Sequence, residues 1–428
     1  MDEESVTTLL RLLGEARELS LDDPARLRIE STAHALVRDG RRHRRRERKQ
    51  AIARADAAVL AATAMGAPDR VIDAPVEVTG EPAGRLRRSR ICYVCKGSFD
   101  RVDGFYHLLC PACAADNASR RTARADLSGR RALITGGRTK IGHRLALMML
   151  RDGAQVTVTT RFPADAARRF AEAGDWPGRL EIVAIDLRDP RQVIAFADGL
   201  LAAGEPLDIL VNNAAQTLRR PPSAYAALLE AERRELPPGS AVSVVPGFEL
   251  EVDENALDAV VDMSGLLPDL SPRNSWSARI GEIDPVELLE VHLINAVAPF
   301  LLIDRLLPLL LAAPAPRRYI VNVSAVEGQF TVANKTSRHP HTNMAKAGLN
   351  MLTHTSAADL ARQGVYLCSV DTGWITDENP VPIRDRLDRR TPLDVIDGAA
   401  RVYDPIVRGE AGHPVHGVLL KDYATAPW

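Results

Sequence analysis

Four cysteines spaced as Cys92-x2-Cys95-x14-Cys110-x2-Cys113 are the most explicit chemistry in this sequence. Each C-x-x-C pair presents two thiolates from a tight knuckle, and four thiolates close a tetrahedral Zn²⁺ site. No coordination position is left for a substrate, so the expected metal is structural. It would supply stability that so small a segment cannot draw from apolar burial. A redox dithiol pair and an iron–sulfur site are the alternatives. A second stretch with chemical content is Thr135-Gly136-Gly137-Arg138-Thr139-Lys140-Ile141-Gly142. Glycine lets a backbone approach a pyrophosphate, and a helix starting behind the turn adds N–H donors and the positive end of its dipole.

The elements that must position these residues follow from periodicity. From about residue 126, short β-type runs at 131–135, 155–160, 180–185, 207–212, 319–324, 365–370 and approximately 416–420 alternate with helical patterns. Such alternation predicts an α/β fold, a doubly wound parallel sheet with helices on both faces. The runs are nearly all apolar, as strands covered on both sides require. In such a sheet a ligand sits beyond the carboxyl ends of the strands. Ahead of this unit, residues 1–65 read as a basic helical segment, 66–90 as a Gly/Pro-containing linker, and 91–125 as the Cys-rich module, which resembles a zinc ribbon.

Residues 126–428, roughly 70% of the chain, resemble the short-chain dehydrogenase/reductase family with its Rossmann sheet. The turn at 135–142 is similar to that family's Thr-Gly-x-x-x-Gly-x-Gly. Asp186-Leu187, Asn212-Asn213-Ala214, Asn295, Asn322-Val323-Ser324, Lys346 and Thr372-Gly373 follow in family order. The resemblance implies that Gly136, Ile141 and Gly142 line the pyrophosphate of a nicotinamide dinucleotide. It implies further that Asp186 bonds the adenine amine and that Asn213 supports the adenosine side. Lys140 replaces the family's middle glycine, so the loop is expected to differ; its ammonium either pairs with a phosphate or blocks the site. Arg161 follows the second strand where a ribose 2′-OH would call for an acid, and Arg138 lies in the loop. Two guanidiniums suit a 2′-phosphate, so NADP(H) is expected over NAD(H). The competing reading makes both of them solvated surface arginines.

The catalytic pattern departs from the family. A tyrosine there handles the alcohol proton, a lysine four residues later lowers its pKa and holds the ribose, and a serine and an asparagine assist. Lys346 and Asn295 match, but Thr342 stands in the tyrosine's place. The family's serine falls on Ala325, with Ser324 one position early. An aliphatic hydroxyl is a far poorer acid than a phenol, so Thr342 cannot take over. The leading expectation is a divergent NADP(H)-dependent oxidoreductase with another proton donor, drawn from His339, His341, Glu327 or Tyr225. The alternative is a catalytically silent NADP(H)-binding sensor or scaffold.

Asn213 and Asn295 are 82 positions apart, where the family spends a few tens. The excess, an insertion at about 216–285, leaves from the carboxyl end of a strand. It is expected to cover the substrate cleft as a lid or a partner surface. It contains a helical stretch at 223–235 and a Val-rich stretch at 241–250.

A length of 428 residues, 46% hydrophobic content and a net charge of −1 describe an ordinary globular chain with room for more than one folding unit. Residues 1–128 hold 23 Lys+Arg against 19 Asp+Glu, and 41–49 alone carry seven Lys/Arg. That run, with Arg85, Arg87, Arg88 and Arg90, suits nucleic acid or an acidic protein, or is simply a solvated helix surface. No stretch reaches 18 apolar residues, and 296–312 is interrupted by Asp304, Arg305 and Pro308. Membrane insertion is therefore not expected, and paired cysteines of metal-site type point to a cytoplasmic setting. Pairing through the long helices, giving a homo-oligomer, is implied by the resemblance.

Overall fold

The computed structural model describes all residues except 72, 78–80, 251–259, 333–334 and 388. Two helices open the chain, α1 (Glu3–Ala16) and α2 (Pro24–Ala61). Asp2 caps α1 by accepting from Ser5 N at 2.9 Å, and Asp23 caps α2 ahead of Pro24 at the first helical position. The Cys-rich segment is a hairpin of β1 (Gly84–Ile91) and β2 (Ser98–Val102) followed by α3 (Pro111–Arg121). Strand β1 thus begins inside the stretch expected as linker.

The α/β unit follows as β3 (Arg131–Thr135), α4 (Lys140–Arg151), β4 (Gln155–Thr160), α5 (Pro163–Ala173), β5 (Leu180–Ala184), α6 (Pro190–Ala203) and β6 (Ile209–Asn212). The insertion contributes α7 (Ala226–Glu232) and β7 (Val242–Val244). Next come α8 (Pro285–His292), a π-helical turn at Leu293–Val297, and α9 (Ala298–Ala312). The chain closes with β8 (Arg318–Ser324), α10 (Pro340–Arg362), β9 (Val365–Asp371), α11 (Val381–Leu387), α12 (Val395–Glu410), β10 (Leu419–Lys421) and β11 (Ala424–Ala426).

The sheet has the order β11-β10-β9-β8-β6-β3-β4-β5-β7 and is parallel except for β11 on β10. The doubly wound fold expected from the strand pattern is observed. One face is packed by α4 and α12 through Leu145, Met149, Tyr403 and Ile406, the other by α6, α9 and α10 through Val193, Leu302, Leu306 and Leu360. The helical run Pro285–Ala312 is long and apolar enough to cross a membrane by composition, yet Leu302, Leu306 and Leu310 are buried in the second core.

A third core joins the Cys-rich segment to the sheet unit. Phe99, Val102, Tyr106 and Leu109 pack with Ile375 and Leu393, and Ile141 of α4 rests against them. Polar bonds reinforce this seam at the start of α12. Asp394 and Asp397 form a capping box there. Arg121 of α3 reaches Asp394 at 2.6 Å and Asp397 at 3.1 Å, and Tyr106 Oη donates to Asp397 at 2.5 Å.

Candidate functional site

The carboxyl ends of β3, β4, β6, β8 and β9 converge on one edge. Beneath that edge lies a buried polar ladder. Asn212 Nδ2 donates to Asn322 Oδ1 at 2.8 Å, Asn322 Nδ2 to Thr353 Oγ1 at 2.9 Å, and Thr353 Oγ1 is 2.8 Å from Ser369 Oγ. Each bond ties a neighbouring element, so β6, β8, α10 and β9 hold a common level.

The glycine turn has little freedom. A Cβ on Gly142 would stand 2.2 Å from Gly136 O, and one on Gly137 would stand 2.4 Å from Val158 Cβ. Gly136 has φ +70°, which a side chain rarely adopts. Asn213 locks the turn from behind, its Nδ2 donating to Thr135 O at 2.9 Å and Gly136 O at 3.1 Å. Lys140 itself adopts a left-handed conformation, with φ +52°. Its ammonium lies 2.9 Å from Asp73 Oδ2. Burial opposes its charge, but Glu378, Asp73 and Asp262 outweigh that and hold its pKa above the ordinary lysine range. Ile141 turns away into the third core.

Beyond the carboxyl ends of β3 and β4 the two arginines part company. Arg138 is buried, donating to Asp165 Oδ2 at 2.6 Å and Ser264 O at 2.7 Å, with its guanidinium over the Phe162 ring. It ties the glycine turn to α5 and to the insertion, and is neither a surface arginine nor directed at a 2′-phosphate. Arg161 is only partly buried. It lies over the rings of Phe162 and Tyr225, which stack at 5.8 Å, and lines a pocket with Asp186, Arg219, Arg220 and Phe248. Asp186 is gripped by Arg188, whose Nε and Nη2 lie 2.8 and 2.6 Å from Asp186 Oδ2.

The insertion is not confined to the substrate cleft. Tyr225 and Leu228 pack on Phe162, and β7 adds a parallel edge strand beside β5. The stretch expected as helix over 223–235 is a 3₁₀ turn at Pro222–Tyr225 followed by α7. The later residues reach the segment after β9. Val381 N donates to Asp269 O at 2.8 Å, and Asn274 Nδ2 donates to Glu378 O at 2.8 Å. Described parts of the insertion therefore contact both the start of α5 and the segment after β9.

Beside β8, Thr342 and Lys346 share one face of α10, four residues apart. Lys346 Nζ donates to Val323 O at 2.7 Å, and burial lowers its pKa to about 8 against the opposing charge of Glu327. Ser324 Oγ and Thr342 Oγ1 are buried and have no hydrogen-bond partner among the described residues. Asn295 sits in the π-helical turn with its amide committed to Gln216, accepting from its N at 2.8 Å and donating to its O at 2.9 Å. Of the candidate acids, Tyr225 lies instead on Phe162 beside Arg161. His341 faces Glu287 of α8, Nε2 to Oε1 3.7 Å. His339 lies beside Glu327, Nε2 to Oε1 4.0 Å.

The four cysteine thiols form one cluster, with all Sγ atoms within 4.8 Å of one another. Cys95 Sγ and Cys110 Sγ are 3.7 Å apart. Zinc–sulfur bonds of about 2.3 Å in a tetrahedron place sulfurs about 3.8 Å apart, so the cluster has the dimensions of a metal site. Backbone N–H of Gly97 and the neighbouring thiols lower the Cys95 pKa to about 7, favouring a thiolate.

Sequence reasoning missed Asp73 and the seam joining the Cys-rich segment to the α/β unit. Trp374 N donates to Tyr93 Oη at 2.8 Å, so a cysteine-knuckle residue braces the loop after β9. No local signal marks either contact, since each joins segments that are far apart in the chain.

A family model described as short chain dehydrogenase matches residues 130–233, and one described as Enoyl-(Acyl carrier protein) reductase matches 249–393. The chain is 31% identical over 341 residues to an uncharacterized protein of Acanthamoeba polyphaga mimivirus, covering 74% of this chain and 71% of that one. It is 35% identical over 158 residues to a probable oxidoreductase of Streptomyces antibioticus, covering 36% of this chain and 45% of the relative. Among solved structures, a metagenomic short-chain oxidoreductase in complex with NADP aligns with 69% of this chain and 98% of its own, at 22% identity and a TM-score of 0.46.

Proposed function

The chain belongs to the short-chain dehydrogenase/reductase family, and on that premise we propose that it is an NADP(H)-dependent oxidoreductase acting on a carbonyl/alcohol pair. The observation that carries the cofactor preference is Arg161. It stands where a ribose 2′-substituent is expected, partly exposed, with Arg219 and Arg220 lining the same pocket. Guanidiniums bind phosphate through paired charge-assisted bonds. The glycine turn, the start of α4 and Lys140 fit the diphosphate, with Asp73 as a competitor for the ammonium. NADP(H), when bound, supplies or receives hydride at its nicotinamide. This chain's own residues then orient the ribose (Lys346) and present buried hydroxyls to the reacting oxygen (Ser324, Thr342).

In the same reading the Cys92, Cys95, Cys110 and Cys113 cluster holds a structural Zn²⁺ that stiffens the wall against Ile141 and Ile375. The exposed basic run 41–49 of α2 serves an acidic protein or nucleic-acid partner, and exposed Leu289, Phe300, Met344 and Met351 on α8, α9 and α10 suit pairing of two copies. Reduced thiols suit the cytoplasm. A silent nucleotide-binding role is the second reading, favoured by the Asp73 carboxylate at Lys140 and the threonine in the tyrosine's place.

Calorimetric titration of NADPH and NADH into the full chain and into Arg161→Ala tests the proposal. Expected is a preference for NADPH that Arg161→Ala reduces by about 10-fold or more, the effect of losing a charge-assisted pair. Absence of binding to both nucleotides would remove the oxidoreductase reading.

A further inference from the structure

We infer that His339 Nε2, backed by Glu327, exchanges the proton with the substrate oxygen in place of the tyrosine this chain lacks; the inference rests on the oxidoreductase reading above. His339 precedes α10, three residues before the tyrosine-equivalent Thr342. Its backbone is left-handed, φ +39°, ψ +52°. Histidine is among the few side chains that enter this region, at a modest cost, and residues held there cluster at functional sites.

Here the surroundings are the insertion. His339 N donates to Ala278 O at 2.8 Å, and the imidazole lies parallel to the Trp276 indole, 4.1 Å between ring centroids at 10°. Nδ1 is 2.7 Å from Trp276 O. A carbonyl oxygen only accepts, so Nδ1 carries the hydrogen in the neutral ring and Nε2 keeps its lone pair. That nitrogen points toward Glu327, 4.0 Å away. Glu327 also opposes the burial of Lys346, so a single carboxylate acts on both the imidazole and the lysine. The two unpartnered hydroxyls, Ser324 Oγ and Thr342 Oγ1, lie on the neighbouring β8 and α10.

This assigns the later part of the insertion a task. Trp276 is both the platform for the ring and the acceptor that sets its tautomer. In the reduction direction, the carbonyl carbon of the substrate gains a hydride from NADPH as its C=O π bond breaks. The oxygen keeps that electron pair and takes the proton from Nε2–H of the imidazolium. The products are the alcohol, NADP⁺ and a neutral His339, which solvent reprotonates beside Glu327. Oxidation runs the same transfers backwards.

Among the described residues, the hydrogen bond to Trp276 O and three charges act on the ring besides its burial, the hydrogen bond favouring the imidazolium. Glu327 favours the imidazolium, while His341 of α10 and Lys335 disfavour it. Burial dominates and lowers the pKa, so reduction should weaken as pH rises through that value, whereas oxidation should strengthen.

The experiment uses the full chain with NADPH and three probe carbonyls: an aromatic aldehyde, a vicinal diketone and a conjugated enone. His339→Asn, which tolerates the left-handed backbone, is compared with wild type. For a probe that wild type reduces, kcat is expected to fall by about 100-fold or more while KM and the NADPH Kd stay within about 2-fold. The pH dependence assigned to the imidazole should also vanish. Glu327→Gln, a positioning change, should displace that pH profile toward acid rather than abolish turnover. Nitrogen-15 spectra of the nucleotide-free protein give a readout independent of turnover and should show Nδ1–H as the neutral tautomer. Equal kcat in wild type and His339→Asn, or an Nε2–H tautomer, overturns the inference alone. NADPH binding without reduction of any probe overturns the oxidoreductase reading and the inference with it.

Discussion

Asp73 and Lys140 meet at the mouth of the glycine turn, Oδ2 to Nζ 2.9 Å, and the other oxygen of the same carboxylate accepts from Thr376 Oγ1 at 2.9 Å. A residue N-terminal to the cysteine hairpin therefore fastens the glycine turn to the loop after β9. In the proposed NADP(H)-binding reading, that negative charge competes with a phosphate for the Lys140 ammonium. Asp73→Asn is expected to tighten NADPH binding by about 3- to 10-fold, the yield of releasing one partly exposed ion pair. Calorimetry on the two proteins decides it, and an unchanged or weaker affinity would remove Asp73 as a competitor.

Metal removal should act at a distance. The cysteine cluster and the dinucleotide turn share a core through Ile141 and Ile375. A chelator, or Cys92→Ser, is expected to lower the melting temperature and to weaken NADPH binding together, because loss of the metal loosens the wall behind α4. One zinc per chain by elemental analysis is the accompanying expectation. Affinity that stays constant after complete chelation would confine the metal to local stability.

Arg121 holds the seam. It is buried against Asp394 and Asp397 and lies over the Phe105 ring. Arg121→Ala leaves two buried carboxylates without their cation and is expected to cost about 3–5 kcal/mol in urea denaturation. A loss below about 1 kcal/mol would show that water or another cation reaches the two aspartates.

Lys346 makes stability depend on alkaline pH. Its folded pKa is lowered to about 8, beneath an unfolded value near 10.5. Between these values the unfolded chain binds more protons, so unfolding free energy should rise with pH across that window. Below pH 8 the buried ammonium is a cost on the folded state, and Lys346→Met removes it. The variant should lose the rise, as read from denaturation midpoints between pH 7.5 and about 10.5. A parallel rise in wild type and variant would assign the slope to other groups.

How much of this was legible in the residues differs by element. The strands were readable because short stretches rich in β-branched and apolar residues alternate with helical patterns, and β3, β4 and β9 fall where those stretches predicted. The glycines of the turn and the cysteine spacing were readable for a related reason. Tight turns and tetrahedral thiolate sites impose their chemistry on residues close together in the chain.

Only the tertiary structure decided which charges are spent and which remain available. Arg138 and Arg161 are alike in the sequence, yet one is consumed by Asp165 and Ser264 while the other stands open on Tyr225. His339 became distinct from His341 because Trp276, 63 positions away, fixed its ring. Asp73 acquired a role only when folding brought it to Lys140. Local sequence encodes backbone conformation and burial, because those depend on neighbouring residues. An ion pair or a tautomer depends on which distant group arrives within about 3 Å, and that is set by how the elements pack.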